Sequence, residues 1–181
     1  MRLIFERLFD DYAQKYYDQV VWDYESEGKG MSHANRGMAF EQLIDYTNRM
    51  YEQKGIAVIN KRPTPVKILG RTAGKVVGFL ESPSTVDFDG TYKGKSIVFE
   101  AKSTRELNRF DLKNIHDHQV EYLDKCHRHG AISFLLVEFA KHRTVYLLPY
   151  ETLRHYWQLK QKAVAEHRVF LLMNLMCFLM K

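Results

Sequence analysis

Apolar positions recur along this chain with two different periods, and the changes of period mark out its elements. Over residues 38–54, Phe40, Leu43, Ile44, Met50 and Tyr51 share one helical face, and Gly55 supplies the stop. Short β-branched runs follow at 56–60, 66–69 and 76–80; residues 70–75 read as a hairpin turn between the last two, and Pro63 and Pro65 mark the approach. Two further strands are predicted at 85–88 and 96–101, joined by a loop over 89–95 that contains Gly90 and Gly94. Ile115, Val120 and Leu123 then restore a helical period over 113–128, ending at Gly130. Strands at 132–139 and 145–148 and a helix at 151–162 complete the series. This order predicts an α/β domain with a mixed β-sheet flanked by helices, and no internal repeat interrupts it.

The two ends differ from this middle. Leu3, Phe9, Tyr12, Tyr16, Val20 and Tyr24 predict an amphipathic helix over 3–24, within a segment whose first 27 residues carry three basic against seven acidic side chains. Glu27, Gly28, Lys29 and Gly30 have purine-rich codons directly before Met31, as a ribosome-binding site precedes a start, so both Met1 and Met31 stand as candidate native beginnings. The apolar tail at 169–180 is shorter than the roughly 17–25 residues that span a bilayer. It reads as a core or dimer-contact segment rather than a membrane span. The chain thus divides into an acidic extension at 1–30, a domain at 31–168 and an apolar tail at 169–181.

Composition narrows the class. A length of 181 residues, 45% hydrophobic and 27% charged, fits one soluble globular domain. Cys126 and Cys177 lie too far apart for a metal-ligand pair and are too few for a disulfide framework, which favours a reducing cytoplasm. Glu6, Asp10 and Asp11 exclude a secretory signal at this N-terminus. The net charge of +5 points weakly to an anionic partner.

Acid–any residue–lysine tripeptides begin at Glu27, Glu52, Glu100 and Asp111. Only the Glu100 copy lies in a strand pattern, and only it follows a second strand with an acid between apolar neighbours, Val86–Asp87–Phe88. Alternation along a strand puts Glu100 and Lys102 on one side, where a hairpin can bring Asp87. Two adjacent carboxylates repel unless they share a cation, and oxygen-only ligation selects a hard ion, magnesium or manganese. Such a site hydrolyses phosphodiesters, with Lys102 stabilising charge on phosphorus or orienting water. The competing reading is a surface ion pair at strand ends, and pattern alone leaves both open.

From Gln53 to Leu80 there are six basic residues and no acid, in a segment predicted to protrude as a hairpin; Arg62, Lys67, Arg71 and Lys75 are its candidate DNA contacts. A charged edge that prevents aggregation is the alternative. His116 and His118, two apart on a predicted helix, are expected to point apart and do not make a zinc site, nor do Cys126, His127 and His129. Gln119 offers an amide oxygen among them.

The strings RGMAFE at 36–41, IAVINKRPTPVKIL at 56–69, STVDFDGTYKGKSIVFEAKST at 84–104 and LKNIHDHQVEYL at 112–123 resemble the RecU family of Holliday junction resolvases, over about residues 35–157. The resemblance implies a restriction-endonuclease-like core, a homodimer, a magnesium cofactor with manganese as substitute, and symmetric nicking of four-way DNA junctions in recombination and repair. It also implies a recombinase partner. By the same resemblance Thr85, Asp87, Glu100 and Gln119 are metal ligands and Lys102 the transition-state lysine; residues 61–81 are the stalk that enters the junction. Glu41 matches a supporting acid, and Arg36 is a further DNA contact. Asp89 stands where the family commonly has an apolar or aromatic residue; it reads as the start of the loop, with an added ligand as the alternative. The acidic start and the apolar end also depart from the family pattern.

Overall fold

In a computed structural model of the chain, the described residues are 33–165, apart from 74, 82 and 83. The amphipathic stretch at 3–24, the choice between Met1 and Met31, and the apolar tail lie outside them.

Helix α1 spans His33–Gln53, and strand β1 (Val58–Lys61) follows it. Strands β2 (Val66–Thr72) and β3 (Lys75–Leu80) come next, then β4 (Phe88–Tyr92) and β5 (Lys95–Thr104). A 3-10 turn at Leu112–Asn114 leads into α2 (Asp117–Arg128); β6 (Ile132–Phe139), β7 (Thr144–Pro149) and α3 (Tyr150–Ala165) close the domain. Among the described residues five strands form one sheet in the order β1-β4-β5-β6-β7, whereas β2 and β3 pair only with each other. The β5–β6 pair is parallel and the other pairs are antiparallel, so the sheet is mixed as the pattern predicts. The parallel pair needs a long crossover, which α2 provides.

Each face of the sheet carries its own core. Ile97, Phe99 and Ala101 of β5 alternate with Val98, and the odd-numbered set packs with Phe40, Leu43 and Ile44 of α1. Phe88, Phe99 and Phe134 stack there across three neighbouring strands, with ring centroids 5.0 and 4.7 Å apart. On the opposite face Val98, Leu135, Val137 and Phe139 pack with Val120 and Leu123 of α2 and Leu153 and Trp157 of α3.

Three elements depart from the periodicity reading. The strand expected at 85–88 begins only at Phe88, and the expected loop at 89–95 is mostly strand. The reversal is a two-residue turn at Lys93 and Gly94, both with positive φ (47° and 74°), which matches the twist of the strands it joins. Gly90, expected in that loop, pairs with Ile59 of β1; a Cβ there would lie 2.0 Å from the Val58 carbonyl oxygen. The helix expected over 113–128 is divided, because Ile115 and His116 are extended and α2 proper starts at Asp117.

Candidate active site

Strands β4 and β5 pair as far as Phe88 and Phe99 and then part. Beyond that point side chains take over the ladder. The Asp87 N–H donates to Glu100 Oε2 (3.1 Å), and the Ala101 N–H donates to Asp87 Oδ2 (3.0 Å). The two acids are therefore brought together, though Asp87 sits just ahead of its strand rather than in it. On the same face, Lys102 Nζ donates to Glu100 Oε1 (2.7 Å), and the Gln119 amide NH2 from α2 also donates to that oxygen.

Glu100 is only 1% exposed. Burial pushes its carboxyl from the ordinary 4.5 up to about 8; Asp87 adds to the rise and the Lys102 ammonium opposes it. A surface ion pair does not look like this. A carboxylate this enclosed, with a second beside it, is ready for a compensating cation.

Asp87, Glu100, Thr85 and Gln119 each carry a side-chain oxygen, the kind of donor a hard divalent ion takes. Two of these positions carry further partners. The Gln119 carbonyl oxygen accepts from the His116 N–H (3.0 Å), so its nitrogen, not its oxygen, faces Glu100. Exchanging the two ends of the amide would reverse that. The Thr85 hydroxyl accepts a hydrogen bond from Arg62 Nη1.

Arg62 is the residue whose place the hairpin reading misses. Grouped with the hairpin by charge, it lies before β2, where its N–H extends the β1–β4 ladder to the Asp87 carbonyl (2.8 Å). Its Nε lies 3.2 Å from Asp89 Oδ2, and its guanidinium sits over the Tyr122 ring of α2, 5.3 Å from the centroid. The signal for this lies in alternation: Ile59 and Lys61 face α1, so Arg62 faces α2. Asp89 is thereby explained as an ion-pair partner on β4 rather than the start of a loop.

Other candidates fall elsewhere. Lys67, Arg71 and Lys75 are exposed on the β2–β3 hairpin. Glu41 pairs with Lys61 Nζ at 2.6 Å, on the α1 side of the sheet and away from the Glu100 carboxyl. Arg36, expected to touch DNA, is 3% exposed; it lies one helical turn before Phe40 and continues the core stripe of α1. The rings of His116 and His118, expected to diverge, stack 5.5 Å apart, because His116 caps α2 in an extended conformation. Among the described residues no group of three His, Cys, Asp or Glu side chains is placed to hold a metal; the groups that meet at Glu100 are Asp87, Lys102 and the Gln119 amide, with the Thr85 hydroxyl two residues before Asp87 and bonded to Arg62.

Two carboxylates and a lysine are thus gathered where β4 and β5 part, in an α/β domain built on a mixed sheet flanked by helices. The chain belongs to the RecU family: the family model described as "Recombination protein U" matches residues 35–174. A protein of Ligilactobacillus salivarius named "Holliday junction resolvase RecU" is 39% identical over 137 residues, covering 72% of this chain and 64% of that protein. One of the same name from Bacillus cytotoxicus is 35% identical over 152 residues, covering 81% and 76%. The matched stretch thus spans less than two thirds of the first of these relatives and about three quarters of the second. Among solved structures, Hjc of Archaeoglobus fulgidus, a Holliday junction resolvase, aligns with a TM-score of 0.40 and 14% identity over 64% of this chain and 74% of that one.

Proposed function

We propose that this protein is a divalent-metal-dependent endonuclease that resolves four-way DNA junctions by paired nicks during recombination and repair. The observation that carries the chemistry is the convergence of Asp87, Glu100 and Lys102 on one face, with Glu100 buried. The family and the names of its relatives support the substrate.

Asp87 and Glu100, with Thr85 and the Gln119 amide oxygen, would hold magnesium, or manganese in its place. When bound, the ion supplies positive charge to a phosphoryl oxygen and lowers the pKa of water. Lys102 has a separate task. Its ammonium already lies 2.7 Å from Glu100 Oε1, where it can stabilise charge developing on phosphorus and orient the attacking water. Asp87 is held by the Ala101 N–H, which fixes its carboxylate before substrate arrives.

The β2–β3 hairpin would act as the stalk that enters the junction, with Lys67, Arg71 and Lys75 on phosphates. Paired nicks call for two sites, hence a homodimer acting on cytoplasmic DNA, with a recombinase as a further partner. Incubating purified protein with labelled four-way junction and with linear duplex, with and without magnesium, tests the proposal. Magnesium-dependent cutting of the junction in preference to duplex is expected. Uncut junction under every condition would overturn it.

A further inference from the structure

Lys102 is not the only cation on this face of the sheet. Strand β4 lies between β5, which carries Lys102, and β1, which leads into Arg62. The two cations therefore flank Asp87 from its two neighbouring strands. Three contacts fix the Arg62 side chain: Nε to Asp89 (3.2 Å), Nη1 to the Thr85 hydroxyl, and the guanidinium plane over Tyr122. Its Nη2 has no hydrogen-bond partner among the described residues. The end of the guanidinium formed by Nη1 and Nη2 thus meets one neutral acceptor, while the carboxylate occupies Nε. A planar fork with its far end available is the geometry that takes two phosphate oxygens, and Arg suits it where Lys supplies only a point charge.

We propose that Arg62 is a second phosphate-binding cation of the active site, taking the phosphate next to the scissile one, with Asp89 and Tyr122 as the residues that position it. The inference rests on the nuclease reading above. Lys102, bonded to Glu100, serves the scissile phosphate; Arg62, on the far side of Asp87, meets its neighbour along the strand. Binding that phosphate also draws Nη1 away from Thr85, freeing the hydroxyl oxygen for the metal. Substrate and metal then favour each other's binding.

The test uses four-way junctions in which a single neutral methylphosphonate replaces the phosphate next to the scissile one. The modification should lower wild-type kcat/KM by about 10- to 100-fold, the range for losing one hydrogen bond between charged groups. Arg62→Ala should lower cutting of the unmodified junction by a similar factor and be almost insensitive to the modification, because both remove the same interaction. Arg62→Lys should recover part of the loss, and Asp89→Asn should raise KM more than it lowers kcat. Equilibrium binding in calcium is measured for the same pairs and should show the same lack of additivity. Independent, multiplicative losses from Arg62→Ala and the modification, in cutting or binding, would overturn the proposal. A wild-type chain that binds but never cuts would instead overturn the nuclease reading, and the binding measurements would still judge Arg62.

Discussion

The backbone N–H of Asp87 donates to the carboxylate of Glu100 across the point where their strands separate. One acid is thus a structural acceptor for the other's main chain. With the Ala101 N–H on Asp87, the arrangement replaces two ladder bonds and fixes the spacing of the carboxylates. The price is a buried, poorly solvated Glu100.

Because the Glu100 pKa rises from 4.5 to about 8, the folded chain holds a proton there that the unfolded chain releases across that interval. The folded state then binds more protons, so without added metal its stability should fall as pH rises from 4.5 to 8 and level off above. Glu100→Gln should flatten this slope and be the more stable protein above about pH 8. Urea denaturation at several pH values checks it; parallel slopes in the two proteins would refute it.

The same proton competes with magnesium. Apparent metal affinity should rise with pH up to about 8, with close to one proton released per ion bound near neutral pH. Calorimetry in two buffers of different ionisation enthalpy counts that proton. Buffer-independent heats would show that Glu100 is already ionised.

Asp87→Asn keeps an oxygen for the Ala101 N–H and leaves the main-chain bond to Glu100 in place, so the fold should survive. Cutting should drop by about 1,000-fold or more, because one ligand charge is lost from a two-carboxylate site. Junction affinity should change little, since the basic surfaces are untouched. Gel-shift and single-turnover measurements on one preparation separate the two effects.

Much of this site is legible in the residues alone. Glu100 and Lys102 follow from strand alternation, and the turn at Gly94 follows from its residue type. Asp87 falls in the right place for a partly wrong reason, since it reaches Glu100 by leaving the ladder rather than by joining it. Arg36 and Arg62 show the limit. Arg36, a DNA contact by resemblance, continues a helical core stripe, and Arg62, grouped with the hairpin by its charge, follows a strand whose alternation turns it toward α2 and the face that carries Asp87. Gly90 shows another limit, because the β1 backbone that demands it, at Val58 and Ile59, lies far earlier in the chain.

Gly90→Ala should therefore destabilise the domain by about 3 kcal/mol, since the new methyl meets main-chain atoms of Val58 and Ile59 that cannot yield without moving β1. Gly37→Ala is the contrasting control. It sits inside α1 with nothing within 4 Å of the added carbon, and should stabilise by about 0.5–1 kcal/mol. Thermal melts of the two variants should move in opposite directions.

The β2–β3 hairpin pairs only with itself, and Ile68, Leu69, Val76, Phe79 and Leu80 are exposed on it beside Lys67, Arg71 and Lys75. Removing residues 70–78 should leave the five-stranded sheet and its melting temperature nearly unchanged. Preference for junction over linear duplex should fall, because the hairpin is the projecting element that would reach into a branch point. Substituting Arg71 and Lys75 together by Ala should lower the slope of log affinity against log salt by about 2, one unit for each phosphate no longer neutralised. If the deleted protein discriminates junction from duplex as well as the full chain does, the hairpin is not the stalk, and branch recognition must lie on the sheet domain itself.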